Sequence, residues 1–346
     1  MKQEQGALAF EQDPAINATT EPPTSVTFPS PAPIIQVEQL VKRYKRADKN
    51  AVDGISFEVQ PGALFALLGP NGAGKTTTIS ILTTTLTPTS GSVRIAGYDV
   101  ARNAKKVRDN IGIIFQNPSL DLNLTAEENV RFHATLYGLY PFRPSYSMMP
   151  KSYQQKVHEL ANLLEIEKEL FKPVKSFSGG MKRKLEILRS LLHNPKVLFL
   201  DEPTSGLDPI SRFSLWEYLA RVRKESQTTI FLTTHYLEEA EQADCICIIN
   251  RGKIVSYGTP AQIKAELVEE FILLDTDGPA NRERLREELR RLKLEFSETG
   301  EEPNFRLPLK GTEVHQTLKA IQTPLSTIET HAPSLDDVYL EIVRAS

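Results

Sequence analysis

Apolar and polar positions change rhythm near residue 34. Residues 1–33 are rich in Pro, Thr, Ser, Ala and Gln, hold six of the 23 prolines and show no apolar period. Such a segment buries too little to offset its ordering entropy, which predicts a disordered tail. From there on, Ile35, Val37 and Leu40 alternate loosely, and Ile55-Ser56-Phe57-Glu58-Val59 alternates cleanly, as a half-buried strand does. Leu64 to Leu68 is an unbroken apolar run closed by glycine, the pattern of a buried parallel strand. A helix is predicted from Lys75 to about Thr84, then strands at Val93 to Ala96 and Ile111 to Phe115. Residues 125–139 and 153–171 read as helices. Between them, Tyr140 to Pro150 holds three prolines and cannot be regular helix.

A further helix is predicted from Ser178 to about His193, a buried strand at Val197 to Leu200, a helix at Arg212 to Glu225, a strand at Thr228 to Thr233 and a helix at Tyr236 to Ala243. Cys245 to Asn250 and Lys253 to Gly258 read as a hairpin turning at Arg251-Gly252. Strands alternating with helices predict an α/β class with a mostly parallel sheet. The remainder differs: strand 271–275, a loop-like stretch 275–281, helix 281–294, strand 304–309, helix 312–321 and strand 326–329 form a small α+β pattern. The expected domains are a cassette over 34–260, with a helical subdomain at about 117–195, and a C-terminal accessory domain over 261–346.

Composition narrows the function classes. The chain has 346 residues, a formal net charge of −3 and a pI near 6.2, so its bulk charge carries no sign of nucleic-acid binding. Its apolar runs are far shorter than the roughly 20 residues that span a bilayer, and no apolar core follows Met1-Lys2 to make a signal peptide. The two cysteines, Cys245 and Cys247, share one strand face, cannot easily pair with each other, and lack the second pair that a zinc site needs. A reduced, cytoplasmic setting is expected.

The chemistry begins at Gly69-Pro70-Asn71-Gly72-Ala73-Gly74-Lys75-Thr76, which satisfies G-x-x-x-x-G-K-[ST] between a predicted strand and a predicted helix. Its glycines let backbone N–H groups converge on phosphate oxygens at a helix N-terminus. Lys75 is placed to neutralise the β- and γ-phosphates, and the Thr76 hydroxyl to ligate Mg²⁺. Farther on, Val197-Leu198-Phe199-Leu200-Asp201-Glu202 sets two carboxylates at the C-terminal end of a buried strand, where open α/β sheets bind ligands. Asp201 suits the metal shell and Glu202 suits polarising the attacking water.

Two further motifs, Ser178-Gly179-Gly180-Met181 and Asp201-Glu202-Pro203-Thr204-Ser205-Gly206-Leu207-Asp208, accompany Gly69–Thr77. Together they resemble the ATPase subunits of ABC transporters over roughly residues 34–260. The resemblance implies a P-loop ATPase cassette with a mixed sheet core, ATP and Mg²⁺ as ligands, and roles for more positions. Gln116 is similar to the Q-loop glutamine that touches Mg²⁺ or water and couples to the membrane subunit. His235 is similar to the switch histidine on the γ-phosphate, and Tyr44 to the aromatic that stacks on adenine. Ser178, Gly179 and Gly180 resemble the signature motif, and Ser205 to Asp208 the D-loop. The family closes a head-to-tail homodimer in which each phosphate loop meets the partner's signature segment.

Met181 departs from the glutamine usual at that position. Followed by Lys182-Arg183-Lys184-Leu185-Glu186, it resembles exporters of the drug-resistance and Nod-factor type, whose membrane subunits are separate ABC-2 permeases. Pro333-Ser334-Leu335-Asp336-Asp337-Val338-Tyr339-Leu340 is similar to their closing motif. The expectation is an ATP-hydrolysing, energy-coupling subunit of a membrane exporter, peripheral on the cytoplasmic membrane face, with the insertion 141–150 at or near the permease interface. The runner-up is a soluble ABC ATPase acting on ribosomes or nucleic acid. Such proteins usually carry tandem cassettes, coiled-coil insertions or basic arms, and this chain shows one cassette, no long heptad run and an acidic balance.

Overall fold

A computed structural model describes residues 32–116, 119–267, 271–298, 305–308, 314–331 and 334–335. Residues 1–31 of the expected tail, and all of the closing motif except Ser334 and Leu335, lie outside the described residues.

The continuous apolar runs become the middle of a six-stranded sheet. Strands β3 (Leu64–Leu68), β7 (Val197–Asp201) and β8 (Thr229–Thr234) are buried at every position. With β6 (Ile111–Ile114), β9 (Cys245–Asn250) and β10 (Lys253–Gly258) they take the order β10-β9-β3-β8-β7-β6. All neighbours are parallel except the β9–β10 hairpin. A second, antiparallel sheet of order β2-β1-β4-β5 comprises β1 (Ile35–Lys42), β2 (Val52–Val59), β4 (Ser90–Ile95) and β5 (Tyr98–Asp99). The loose alternation of β1 has a local cause. Gln39 takes φ +45 and the β1–β2 register shifts between Val37 and Leu40, which returns Leu40 to the buried face.

Two cores flank the parallel sheet. On one side the antiparallel sheet and α1 (Lys75–Leu82) pack around Phe57, Phe65, Phe199 and Phe231, with Phe65 stacked on Phe231 at 5.0 Å. On the other lie the helices that the sequence places between β6 and β7: α3 (Ala126–Leu136), α4 (Lys151–Leu163) and α5 (Gly179–Leu191). Helix α6 (Pro209–Ser226) joins this side. The short helices α2 (Ala104–Arg108) and α7 (Leu237–Ala240) complete this part of the chain.

Several predicted boundaries move. The helix predicted over 153–171 stops at Leu163, because Glu165 adopts φ +56 and only a 3₁₀ turn, Glu167–Glu169, follows. Helix α3 starts after a capping box of Thr125 and Glu128. Helix α6 starts three residues earlier than predicted, where Asp208 caps it and Pro209 occupies the first position. The helix predicted over 236–243 shrinks to one turn, α7. The stretch 275–281 expected to be a loop already contains the start of α9 (Gly278–Arg291).

Beyond the hairpin, α8 (Pro260–Leu267) was not predicted, and its Ile263 is buried in the same core as β3 and β7. A separate core of Ile272, Leu274, Leu285, Leu289, Phe305 and Leu307 then begins. It belongs to an antiparallel sheet β12-β13-β11-β14, formed by β11 (Phe271–Asp275), β12 (Ser297–Glu298), β13 (Phe305–Pro308) and β14 (Thr327–His331), together with α9 and α10 (Val314–Ala320). Among the described residues no helix is long and apolar enough to cross a membrane.

Candidate functional site

Strand register decides which side chains meet. Leu68 pairs with Thr234, Asp201 with Thr233, and Ile114 with Leu200. The residues just past those ends, namely Gly69, His235, Glu202 and Gln116, therefore emerge side by side along one sheet edge. Cross-links fix this alignment: Gly69 N donates to Thr234 O at 3.3 Å, and Glu202 N to Thr233 O at 3.2 Å.

Glu202 is the hub. Its Oε1 lies 3.6 Å from Lys75 Nζ and 3.4 Å from His235 Nδ1, and its Oε2 accepts from Gln116 Nε2 at 3.2 Å. The His235 contact is too far off line to be a hydrogen bond. The Glu202 backbone sits at φ +44, and its N–H also reaches Thr233 Oγ1 at 3.1 Å. A bulky residue held in this sparsely populated region carries strain of order 1–3 kcal/mol, kept in place by its surroundings.

The phosphate loop closes over the other end of Lys75. Gly74 takes φ +111, and a Cβ there would stand 2.5 Å from Ala51 O, so only glycine serves at the mouth of α1. The Lys75 ammonium is 4% exposed and donates to Gly69 O at 2.7 Å and Pro70 O at 3.2 Å. Burial pulls its pKa below the usual lysine range, with Glu202 acting in the opposite direction. Tyr44 is 46% exposed beside the loop, with its hydroxyl 3.3 Å from Thr77 Oγ1 and Lys42 Nζ 5.6 Å from its ring centroid.

Asp201 is buried, and burial pushes its carboxyl above the ordinary range although Thr233 Oγ1 donates to it at 2.6 Å. A nearby cation would relieve that penalty. Thr76, Gln116 and Asp201 offer hydroxyl, amide and carboxylate oxygens, the hard donors that suit Mg²⁺. Among the described residues no group of three or more His, Cys, Asp or Glu could hold a metal ion by itself. The donor set therefore fits an ion that also leans on substrate phosphates rather than a closed protein cage.

The signature segment belongs to a different neighbourhood. Ser178 caps α5 and accepts from Met181 N at 3.2 Å. A Cβ on Gly180 would stand 2.7 Å from Ser211 Oγ, so glycine lets α6 come close. Asp208 accepts from Ser211 N at 3.0 Å and Ser211 Oγ at 2.6 Å, bonds that hold its carboxyl below the usual range. Within one chain these groups serve helix ends and do not join the Glu202 cluster.

Three partners escaped the sequence reading. Thr233 Oγ1 donates to the Asp201 carboxylate and accepts from the Glu202 backbone N–H. Glu239 is buried and accepts from the hydroxyls of Thr204 and, at 2.7 Å, Thr234, tying the segment after Glu202 to the residue before His235. Arg183, flanked in sequence by Lys182 and Lys184, is buried and turned inward. Only Thr233-Thr234-His235 carried a local hint, since hydroxyls at a buried strand end need acceptors.

A phosphate loop after β3, a histidine after the neighbouring strand β8 and a carboxylate pair at the end of β7, all along one sheet edge, define a P-loop nucleotide-binding cassette. Residues 52–205 match the family described as ABC transporter. The chain is 37% identical over 311 residues to Nod factor export ATP-binding protein I of Burkholderia pseudomallei, covering 89% of this chain and 96% of that one. It is 40% identical over 233 residues to daunorubicin resistance ATP-binding protein DrrA3 of Streptomyces coeruleorubidus, covering 67% and 70%. A solved structure described as cbiO1 from Clostridium perfringens, part of the ABC transporter complex cbiONQ, superposes with a TM-score of 0.60 at 28% identity, covering 75% of this chain and 96% of that chain. The chain belongs to the ATP-binding subunits of the ABC transporter family, and ATP is its nucleotide.

Proposed function

We propose that this chain hydrolyses ATP to drive an exporter whose permease is a separate ABC-2-type membrane subunit, working as a homodimer on the cytoplasmic membrane face. The observation that carries the reading is the convergence of Lys75, His235 and Gln116 on one carboxylate, Glu202, directly behind the phosphate loop.

Within the loop Gly69 to Thr77, the amides other than Gly69 N and Ala73 N, which bond Thr234 O and Pro70 O, cradle the β- and γ-phosphates, Lys75 neutralises them, and Tyr44 stacks on the adenine. Thr76, Asp201 and Gln116 would hold Mg²⁺, which would supply charge neutralisation at the phosphate oxygens. Glu202 takes a proton from the water that attacks the γ-phosphorus, the bond to the bridging oxygen breaks, and ADP and phosphate leave. His235 contacts the γ-phosphate, and Gln116 orients the water against Glu202. Ser178, Gly179 and Gly180 of a second copy present helix N-terminal amides to the same γ-phosphate, with Asp208 at the junction between copies. The cassette runs through α8, and the accessory domain begins at β11. The purified full chain is expected to release phosphate from ATP in a magnesium-dependent way. Release no faster than from buffer alone would overturn the reading.

The insertion fits the permease face. Phe142 stacks on Phe132 with ring centroids 6.0 Å apart, and both remain exposed, as do Leu136, Met148 and Phe171. An exposed, stacked aromatic pair of this kind suits an interaction site. Deleting 141–150 outright would also remove Arg143 O and Pro144 O, which accept from the buried Arg131 Nη1 at 2.8 and 3.0 Å. The cleaner test is Phe132→Ser with Phe142→Ser. Co-purification with the permease should fall at least about fivefold while the melting temperature stays close to that of the parent, as for most surface changes. Unchanged assembly would remove the insertion from the interface.

A further inference from the structure

Between Ser178 and the Glu202 cluster runs a buried pair that the ATPase reading leaves without a role. Arg183 lies in α5, five residues after Ser178, and its side chain is 5% exposed. Its guanidinium donates from Nε to Pro203 O at 2.9 Å, from Nη1 to Phe115 O at 2.7 Å, and from Nη2 to Gln116 O at 3.4 Å. Nη1 also pairs with Glu186 Oε2 at 2.9 Å, and Glu186 Oε1 accepts from Ser119 N at 3.1 Å. One planar fork thus holds the carbonyl next to Glu202 and the carbonyls at and before Gln116, while its partner carboxylate holds the chain three residues beyond Gln116.

A buried ion pair is weak evidence for net stability, because desolvation offsets the attraction. Its geometry is what matters here: the donors of arginine point in fixed directions from one plane, so three carbonyls on two separate loops are set relative to each other. These loops carry the two groups that would orient and deprotonate the attacking water, and both are bolted to the helix that starts at the signature segment. We propose that Arg183, held by Glu186, is a positioning residue that registers Gln116 and Glu202 against α5, so that a shift at Ser178 is transmitted to the hydrolytic groups. The proposal rests on the ATPase reading of Gln116 and Glu202.

The test uses the full chain with Arg183→Lys, which keeps the charge but concentrates its donors on one nitrogen that cannot span the three carbonyls. The expected result is kcat lowered at least about tenfold at a temperature well below the variant's own melting transition, with KM for ATP close to that of the parent. Gln116→Ala should cost much less in the Arg183→Lys background than alone, since Gln116 is already misplaced there. Amide hydrogen exchange at Glu202, Ser205 and Leu207 should speed up relative to the parent. Glu186→Gln should show the same pattern, more weakly. Parental kcat in Arg183→Lys, additive loss with Gln116→Ala, or a fall in ATP binding that merely tracks melting would each overturn the clasp. A parent chain without magnesium-dependent turnover would instead defeat the ATPase reading, and unchanged exchange at those amides would then defeat the clasp as well.

Discussion

Glu202→Gln is expected to bind ATP about as tightly as the parent while turnover collapses by about 10²–10⁴-fold, the range that a positioned general base supplies. The substitution is nearly isosteric. The backbone bonds to Thr233 O and Thr233 Oγ1 that hold φ +44 do not involve the carboxylate, so the residue should keep its place. An amide oxygen can still accept from Gln116 and face Lys75, but it cannot take a proton from water. In the proposed site nucleotide binding rests on the loop amides, Lys75 and Tyr44 rather than on Glu202, so affinity should survive. Hydrolysis is the step that would reopen a dimer closed on ATP, so the variant should elute as a dimer with magnesium and ATP and as a monomer without nucleotide. Phosphate release under single-turnover conditions measures the chemical step, and size-exclusion chromatography measures the trap. Turnover like that of the parent would reject Glu202 as the base and move attention to His235.

The elements that the chain's pattern revealed most clearly are those whose burial is uniform. Strands β3, β7 and β8 lie inside the sheet, so their apolar runs are unbroken and cannot be mistaken for surface. Where local pattern failed, a single backbone event decided the outcome. Glu165 ends α4 through a left-handed conformation that a polar residue does not advertise, and α2, β5 and β12 are too short to show a period. Of the candidate site residues, Gly69 to Thr76 were legible because phosphate binding demands glycines, a lysine and a hydroxyl in fixed order, while Gln116 and His235 came from the family resemblance. Their convergence on Glu202 was not legible, since it depends on β6, β7 and β8 aligning in register. Arg183 was least visible of all. Between Lys182 and Lys184 nothing in the sequence sets it apart as buried, and the acceptors that draw it inward, Phe115 O and Pro203 O, are 68 and 20 positions away.

Lys75→Met should weaken ATP binding about 10–150-fold, since a hydrogen bond to a charged group contributes about 1.5–3 kcal/mol and each 1.4 kcal/mol is a factor of ten. Stability should respond far less, because two effects oppose. The ammonium sits at 4% exposure, and burial penalises its charged form, so methionine, which keeps the apolar stem, removes that cost. It also leaves Gly69 O and Pro70 O without their donor and Glu202 without its cation. The melting temperature is therefore expected to move by no more than about 4 °C, the shift that about 1 kcal/mol produces in a domain of this size. A second loss falls on binding alone. With Lys75 gone, Asp201 and Glu202 face the incoming triphosphate with no compensating lysine, so the residual affinity should recover in part as salt screens the carboxylates. Equilibrium titration with a fluorescent ATP analogue at two ionic strengths separates the two contributions. Affinity like that of the parent would show that Lys75 holds the loop together and not the phosphates, while a loss that salt leaves untouched would assign the whole effect to the missing contact.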